Sequence, residues 1–426
     1  MGSPQVAQDE TARLKRAVEE LSILNDLARA IGGSFNSQEI MQTIVRRSLR
    51  ALNAEQGVIT LIDRNALDPM KTLVRAAVSS TEREQFHLPQ TLLGWMQLNV
   101  KPLLVDDLQH DDRFRGVKAD GVIMSLLCVP LMIKSELKGV LTIYNKRDGH
   151  TFTADDQRLL AIIAAQSAQV IENARLYEEE QQYMKMQQEV RLAATIQLEL
   201  LPKSAPKLAG YDIHGLTIPA QTVGGDYYDF IPINENRVAI CIGDVTGKGL
   251  PASLLMANLQ ATLRGQTLIG ENPKVCLERS NKLLFLSTSS EKFATVFYGI
   301  LDIQQHTISY SNAGQDNPVM LSGETILRRL GKGGIMLGAL EGFPFEDETV
   351  PIPASSRLVM YSDGITEAMN GTNEMYGEER LLQFLQKNRA QTAKETADAL
   401  VADVRSFVGS TPQSDDMTVV VVVRLA

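Results

Sequence analysis

Hydrophobic positions are spaced differently along successive stretches of the chain. From Leu21 to Leu52 they recur at three- and four-residue intervals, as on an amphipathic helix, with a break at Gly32-Gly33. Short apolar runs follow at Gly57–Ile62, Met124–Ile133 and Gly139–Tyr144. Together they predict helices flanking a central antiparallel sheet. Between His150 and Leu201 there is then neither Gly nor Pro, although the chain holds 30 and 16 of them. Thr153-Ala-Asp-Asp156 supplies a capping-box-like start, and Pro202 forbids continuation. One helix over 154–201 would reach about 70 Å at 1.5 Å per residue. Ile163, Val170, Tyr177 and Met184 repeat every seven residues; Tyr183, Met186, Val190 and Ala193 form a second seam. This pattern predicts a dimeric coiled coil, with a stutter near Glu178-Glu-Glu180. A helix packed along its own domains would use the same positions.

After Pro202 the pattern changes to short strands separated by turns. Strands are predicted at Arg237–Val245, Ala294–Asp302, Thr307–Gly314, Arg357–Gly364 and Thr418–Leu425. Helical periodicity marks Leu250–Arg264, Pro273–Leu286 and Lys394–Val408. Five consecutive valines, Val419–Val423, suit a strand covered on both faces. The fold class is α+β, with predominantly antiparallel strands.

Composition narrows the function. The 426 residues suffice for two or three domains. A net formal charge of −9, from 42 basic and 51 acidic residues, gives no electrostatic basis for non-specific nucleic-acid or anionic-membrane binding. The longest aliphatic runs, around Ile123–Ile133 and Val419–Val423, are too short to span a bilayer. The opening residues Met1–Glu10 lack the basic-then-apolar order of a signal peptide. Cys128, Cys241 and Cys276 are scattered in apolar runs, which argues against a disulfide framework or zinc site. The expectation is a cytoplasmic protein with neither membrane nor nucleic acid as partner.

Four acidic turns carry the candidate chemistry: Gly224-Gly225-Asp226, Gly243-Asp244-Val245, Ser362-Asp363-Gly364 and Ser414-Asp415-Asp416. Each adjoins an apolar strand, at an exit or an entrance, so an antiparallel sheet can bring them to one edge. A lone Asp-Gly or Gly-Asp is a turn former, and Asp316-Asn317 and Asp148-Gly149 are assigned to turns. Four in this setting ask for more. Converging carboxylates cannot all stay ionised in a partly desolvated site unless a cation joins them. Oxygen donors without His or Cys select Mg²⁺ or Mn²⁺, or Ca²⁺ with more ligands, over zinc. Two such ions activate water for attack on a phosphate ester.

The N-terminal elements resemble a GAF domain, a small-molecule sensor module. The order is a helix, Glu55-Gln-Gly-Val, Val105-Asp-Asp107, Val129-Pro130-Leu131, the strand at Gly139–Tyr144 and Phe152-Thr-Ala-Asp-Asp156. Asn145-Lys146, Phe152 and Asp156 partly match the pattern of cyclic-nucleotide GAF domains, but Gln157 replaces its final acid. A Lys–Asp pair is commonly structural. Cys128 reads as core, and His87 and His110 as surface residues. The ligand is left open, and the input is an unidentified small molecule or protein.

The C-terminal motifs resemble the bacterial metal-dependent PPM-type serine/threonine phosphatases, in particular the RsbU/SpoIIE type. The resemblance rests on Val223–Phe230, Gly243–Gly249, Tyr361–Ala368 and Asp415–Thr418. Ala194-Thr-Ile-Gln197, Leu201-Pro202, Phe293–Tyr298 and Asn312-Ala-Gly314 support it. It implies a β-sandwich flanked by helices and two divalent cations, Mn²⁺ or Mg²⁺. By this match Asp244 bridges both ions, the Val245 carbonyl supports one, and Asp363 and Asp415 hold the other. Asp226 stands on the far side, directly or through water. Asp416 rivals Asp415, and Asp229 is supporting or structural. Gln315 stands where the family usually has His after Asn-Ala-Gly. No motif places an arginine to grip phosphate; Lys248 is a secondary candidate, although an exposed lysine between glycines is ordinarily solvated.

The resulting division is a segment at 1–18, a GAF sensor at 19–153, a linker helix at 154–201 and a phosphatase domain at 202–426. The expected activity is dephosphorylation of phosphoserine or phosphothreonine in a protein, such as an anti-anti-sigma (STAS-type) factor of a partner-switching pathway. The chain is expected to act as a homodimer, with Thr195, Ile196, Gln197 and Leu201 passing the GAF signal to the metal site. Two alternatives are a non-catalytic scaffold, kept open by Gln315, and a diguanylate cyclase, suggested by Gly224-Gly-Asp-Tyr-Tyr228. The cyclase leaves the other three motifs unexplained.

Overall fold

The computed structural model describes residues 36–62, 70–77, 90–108, 110–114, 123–269, 272–289, 291–388 and 392–426. The segment 1–18, the helical run before Asn36 with its Gly32-Gly33 break, and His87 lie outside these residues. The chain divides into two compact units between Lys185 and Met186.

In the first unit, helix α1 (Ser37–Ala51) starts at Asn36, whose Oδ1 accepts from the N–H groups of Gln38 and Glu39. Strands β1 (Ala54–Ile62), β2 (Met70–Ala77), β3 (Leu103–Val105), β4 (Leu126–Ile133) and β5 (Glu136–Lys146) form one antiparallel sheet, in the order β2-β1-β5-β4-β3. Helix α2 (Gln90–Asn99) precedes β3, and α3 runs from Ala154 to Leu200. Alternation along the strands gives the sheet two apolar faces. Leu127, Val129, Leu141 and Ile143 meet Ile44 and Val45 of α1 and Leu160, Ile163, Ala168 and Ile171 of α3. Val58, Cys128, Val140 and Tyr144 meet Leu92, Leu93 and Met96 of α2.

The start of α3 is the reciprocal cap expected of Thr153-Ala-Asp-Asp156. Thr153 N–H donates to Asp156 Oδ2 at 2.7 Å, and Asp156 N–H to Thr153 Oγ1 at 3.2 Å. Asp156 also pairs with Lys146 at 2.7 Å, so this Lys–Asp pair ties strand to helix. Asn145 is likewise occupied, its Oδ1 accepting from Met124 and Ser125 N–H. Cys128 is fully buried, as expected of core, and burial pushes its thiol up to about 12. His110 is at the surface, 2.7 Å from Asp107.

The heptad positions of α3 separate into two groups. Ile163 is buried in the sensor core, whereas Tyr177, Tyr183, Met184 and Met186 are exposed. The first turns are thus claimed by their own domain.

The second unit stacks two sheets. Strands β7 (Tyr227–Asn234), β8 (Arg237–Val245), β9 (Ala294–Asp302), β10 (Thr307–Ala313), β13 (Gly333–Gly334) and β14 (Glu348–Pro351) form one. Strands β6 (Tyr211–Ile218), β11 (Val319–Ser322), β12 (Thr325–Arg329), β15 (Ser356–Tyr361) and β16 (Met417–Arg424) form the other, in the order β12-β11-β15-β16-β6. Only β10–β13 is parallel among the paired strands described. Helices α4 (Leu250–Leu268) and α5 (Pro273–Ser287) lie against the first sheet; α7 (Gly377–Lys387) and α8 (Ala393–Val408) pack with the second. The valine run behaves as its composition demands. Val420 and Val422 enter the core between the sheets, while Val419, Val421 and Val423 pack with the helical layer. One prediction is shortened. The strand expected over Arg357–Gly364 stops at Tyr361, because Asp363–Thr366 turn into the short helix α6.

Candidate active site

All four acidic turns lie at one end of this sandwich. Asp226 immediately precedes β7, Asp244 is the penultimate residue of β8, Asp363 opens α6 after β15, and Asp415 and Asp416 precede β16. Register does the gathering. Tyr227 pairs with Gly243, which sets Asp226 beside Asp244, and Tyr361 pairs with Val419, which sets Asp363 beside the Asp415-Asp416 turn.

The two adjacent acids have different tasks. Asp416 Oδ1 accepts from Ala220 N–H at 2.7 Å, and its Oδ2 accepts from Gly225 N–H at 2.6 Å and Asp226 N–H at 3.3 Å. It is buried and spends both oxygens on backbone N–H groups, Oδ1 on Ala220 and Oδ2 on the Gly224–Asp226 turn. That turn approaches so closely that a Cβ on residue 224 would lie 2.3 Å from Asp416 Oδ2. A Cβ on residue 364 would likewise meet the Asp416 carbonyl, at 2.0 Å. Asp415 is more open, with its Oδ2 2.8 Å from Lys248 Nζ.

Asp226 is buried, with Oδ2 2.5 Å from the Thr418 hydroxyl, which lies 2.7 Å from that of Thr217. Burial and the neighbouring Asp244 raise its pKa well above the usual carboxylate range. Asp244 is pushed to about 7 by burial and then by Asp363, Asp415 and Asp416. Asp363 rises to about 6, by burial and then by Asp415. These shifts describe acids crowded into a low-dielectric corner, where adding a cation is favourable.

The corner also has the shape of a cation site. A Cβ on Gly225 would meet both Asp244 Oδ1 and the Val245 carbonyl at 3.1 Å, so these two oxygens face one space that glycine leaves open. The donors are hard oxygens, which fits Mg²⁺ or Mn²⁺. No three His, Cys, Asp or Glu side chains among the described residues stand in ready-made coordination geometry.

The junction residues divide as well. Gln197 Nε2 donates to the Gly224 carbonyl at 2.6 Å, and Gly224 N–H donates to Gln197 Oε1 at 3.0 Å. Leu201 is part of the sandwich core, and the Leu200 carbonyl accepts from Gln260 of α4 at 3.3 Å. Thr195 and Ile196 are exposed, the Thr195 hydroxyl bonding only back along the helix to the Arg191 carbonyl.

Asp229 and Gln315 are marked by the motifs, whereas Arg264, the partner of Asp229, carries no sequence signal. Asp229, fully buried, accepts from Arg264 Nε at 2.6 Å and Nη2 at 3.1 Å, and from the Tyr227 hydroxyl at 2.7 Å. It fastens α4 to β7. Gln315 spans the two sheets: its Oε1 accepts from the Thr295 hydroxyl at 2.7 Å, and its Nε2 donates to the Tyr361 carbonyl at 3.1 Å. It is buried. Ser362 Oγ donates to the Asp416 carbonyl at 3.1 Å and accepts from Thr418 N–H at 3.0 Å. Beside the acids a cleft of about 270 Å³ is lined by Gly364, Ala368, Met369, Arg405, Ser414 and Met417 among others.

Comparison with known proteins agrees with this architecture. Residues 234–425 match the family Stage II sporulation protein E (SpoIIE), and residues 36–172 match the GAF domain. The SpoIIE match includes Asp244, Asp363 and Asp415 and begins after Asp226. Protein IcfG of Synechocystis sp. is 29% identical over 263 residues, covering 55% of this chain and 41% of its own length. Phosphoserine phosphatase RsbU of Bacillus subtilis is 28% identical over 256 residues, covering 58% and 75%. The chain thus spans about two fifths of the first relative and three quarters of the second. The SiaA-PP2C domain of Pseudomonas aeruginosa superposes with a TM-score of 0.52 at 21% identity, covering 57% of this chain and 98% of that domain, which establishes the shared fold. The chain thus carries a GAF domain and, after it, a domain of the SpoIIE/PP2C phosphatase type. No helix among the described residues is long and apolar enough to cross a membrane.

Proposed function

We propose that the chain is a sensor-regulated, metal-dependent protein phosphatase that removes phosphate from serine or threonine of an anti-anti-sigma (STAS-type) protein in a partner-switching pathway. The observation that carries this reading is the corner beside Gly225. There Asp244 Oδ1 and the Val245 carbonyl face one space, and Asp363 and Asp415 act on Asp244 electrostatically.

Asp244, the Val245 carbonyl, Asp363 and Asp415 would hold divalent cations, Mn²⁺ or Mg²⁺, with Asp226 as a further oxygen donor, directly or through water. Such ions supply Lewis acidity and a water deprotonated near neutral pH. Asp416 holds the Gly224–Asp226 turn through its backbone N–H groups, and the Thr418 hydroxyl orients Asp226. The adjoining cleft leaves room for substrate polypeptide next to the acids.

Regulation is assigned to α3. Its exposed Tyr177, Tyr183, Met184 and Met186 favour pairing with the same helix of a second copy, as a coiled coil. Gln197 and Leu201 would pass a shift of that helix to Gly224 and the core, while exposed Thr195 and Ile196 would follow it. The GAF input and the cytoplasmic setting are part of the same proposal.

The test is hydrolysis of an aryl phosphate and of a phosphorylated STAS protein by the full chain, with Mn²⁺, with Mg²⁺ and with chelator, beside Asp244→Asn. Metal-dependent turnover absent from the variant supports the reading. No turnover of either substrate by folded, metal-loaded protein counts against it.

A further inference from the structure

Lys248 projects from the turn that joins Asp244 to α4. It stands between Gly247 and Gly249, whose φ values are +97° and +69°, a region residues with a Cβ rarely adopt. The turn is also fastened at its side. Thr246 N–H donates to the Phe293 carbonyl at 3.0 Å, and Phe293 N–H donates to Thr246 Oγ1 at 3.3 Å. From this fixed base the side chain reaches across the acids to the opposite turn. Its Nζ lies 2.8 Å from Asp415 Oδ2 and donates to the Ser414 carbonyl at 2.6 Å. The side chain is 51% exposed, so packing does not lock it there.

The acids pose a problem for a phosphatase. A phosphate monoester carries about −1.5 to −2 charges near pH 7, and every ionised carboxylate of the corner repels it. No motif-placed arginine offsets this. A lysine ammonium is a compact charge with three donors and binds phosphate oxygens well.

Resting on the phosphatase reading, we propose that Lys248 grips the substrate phosphate. Its ammonium exchanges Asp415 for the phosphoryl oxygens, and Asp415 is thereby freed toward the metal side of the corner. The pairing with Asp415 is the resting position of the grip. Lys248 is then a catalytic residue, and its turn between glycines is the hinge base that aims it.

The experiment uses the full chain loaded with Mn²⁺. Inorganic phosphate binding is measured by titration calorimetry, and KM for an aryl phosphate by kinetics, for wild type, Lys248→Ala, Lys248→Arg and Lys292→Ala. Lys292 is a charge control: its Nζ lies 3.6 Å from where a Cβ on Gly247 would stand, on the same turn. Lys248→Ala is expected to weaken phosphate binding and raise KM by about tenfold to a hundredfold, the scale of a lost charge-assisted hydrogen bond. Lys248→Arg should recover most of the loss, and Mn²⁺ affinity should not fall in either variant. Unchanged phosphate affinity in Lys248→Ala would overturn the proposal, whether Mn²⁺ binds as before or more tightly, since the lysine would then be only a counter-ion. An equal loss in Lys292→Ala would also overturn it, as a general charge effect. Calorimetry needs no turnover, so Lys248-dependent phosphate binding in an inactive wild type would sink the phosphatase reading and with it the catalytic role of Lys248, leaving only its grip on phosphate.

Discussion

Gln197 forms a two-point contact with Gly224, its amide pairing with both the carbonyl and the N–H of that residue. Gly224 lies two residues before Asp226 and against the Asp416 carboxylate, so the end of α3 touches the scaffold of the acids directly. Replacing Gln197 with Leu leaves two backbone groups buried without partners, at a cost of about 1–3 kcal/mol each way of counting. We expect Gln197→Leu to lower Mn²⁺-dependent aryl phosphatase activity at least about tenfold through weaker metal binding. Activity against Mn²⁺ concentration reads this directly, and an unchanged curve would remove Gln197 from the regulatory route.

Asp415 and Asp416 should separate in stability. Asp416→Ala strips three backbone N–H groups of their acceptor, and a loss of about 3 kcal/mol or more is expected in denaturant unfolding. Asp415→Asn removes a partly exposed carboxylate and should change stability by under about 1 kcal/mol while abolishing most turnover. If both variants unfold alike, the division of labour is wrong.

The raised carboxylates make metal-free stability depend on pH. Asp244, at about 7, and Asp363, at about 6, hold protons in the folded state that the unfolded chain releases near 3.8, the ordinary aspartate value. The folded state binds more protons, so stability falls as pH rises between about 4 and 7, then levels off. Binding of a divalent cation expels those protons, so its affinity rises across the same window. Melting with chelator at pH 5.0 and 7.5, and again with Mn²⁺, should show a larger metal gain at the higher pH. Asp244→Asn should flatten the chelator profile; an unaltered slope would mean other groups set it.

Arg264 and Asp229 form a pair in which the acid is wholly buried. Arg264→Leu leaves that charge unpaired, and a cost of about 3–5 kcal/mol is expected. Because α4 follows the Asp244 turn, metal affinity should fall together with the melting temperature. A double change, Asp229→Asn with Arg264→Leu, should recover part of the stability, which a double-mutant cycle measures.

Local chemistry was enough to read much of this protein. The Gly- and Pro-free stretch from Thr153 to Leu201 could only be a long helix, and its cap and its stop at Pro202 are local devices. The unbroken valines announced a strand covered on both faces, because period-two alternation leaves no polar side. Acids flanked by glycines at strand ends marked the site, since antiparallel pairing returns such ends to one edge.

Tertiary structure decided what depends on register between distant segments. Neighbouring residues at a strand entrance face different surroundings, so only the approach of Gly225 and Asp226 occupies Asp416 and leaves Asp415 beside Lys248. The same holds for Gln315, which the motif order marked as a departure and which packing makes a tie between Thr295 and Tyr361. Arg264 could not be matched to Asp229, nor Gln197 to Gly224, from spacing alone. Along α3 the heptad positions are alike in sequence, yet Ile163 is buried in the sensor core and Met184 is exposed, because burial is set by the elements that arrive opposite.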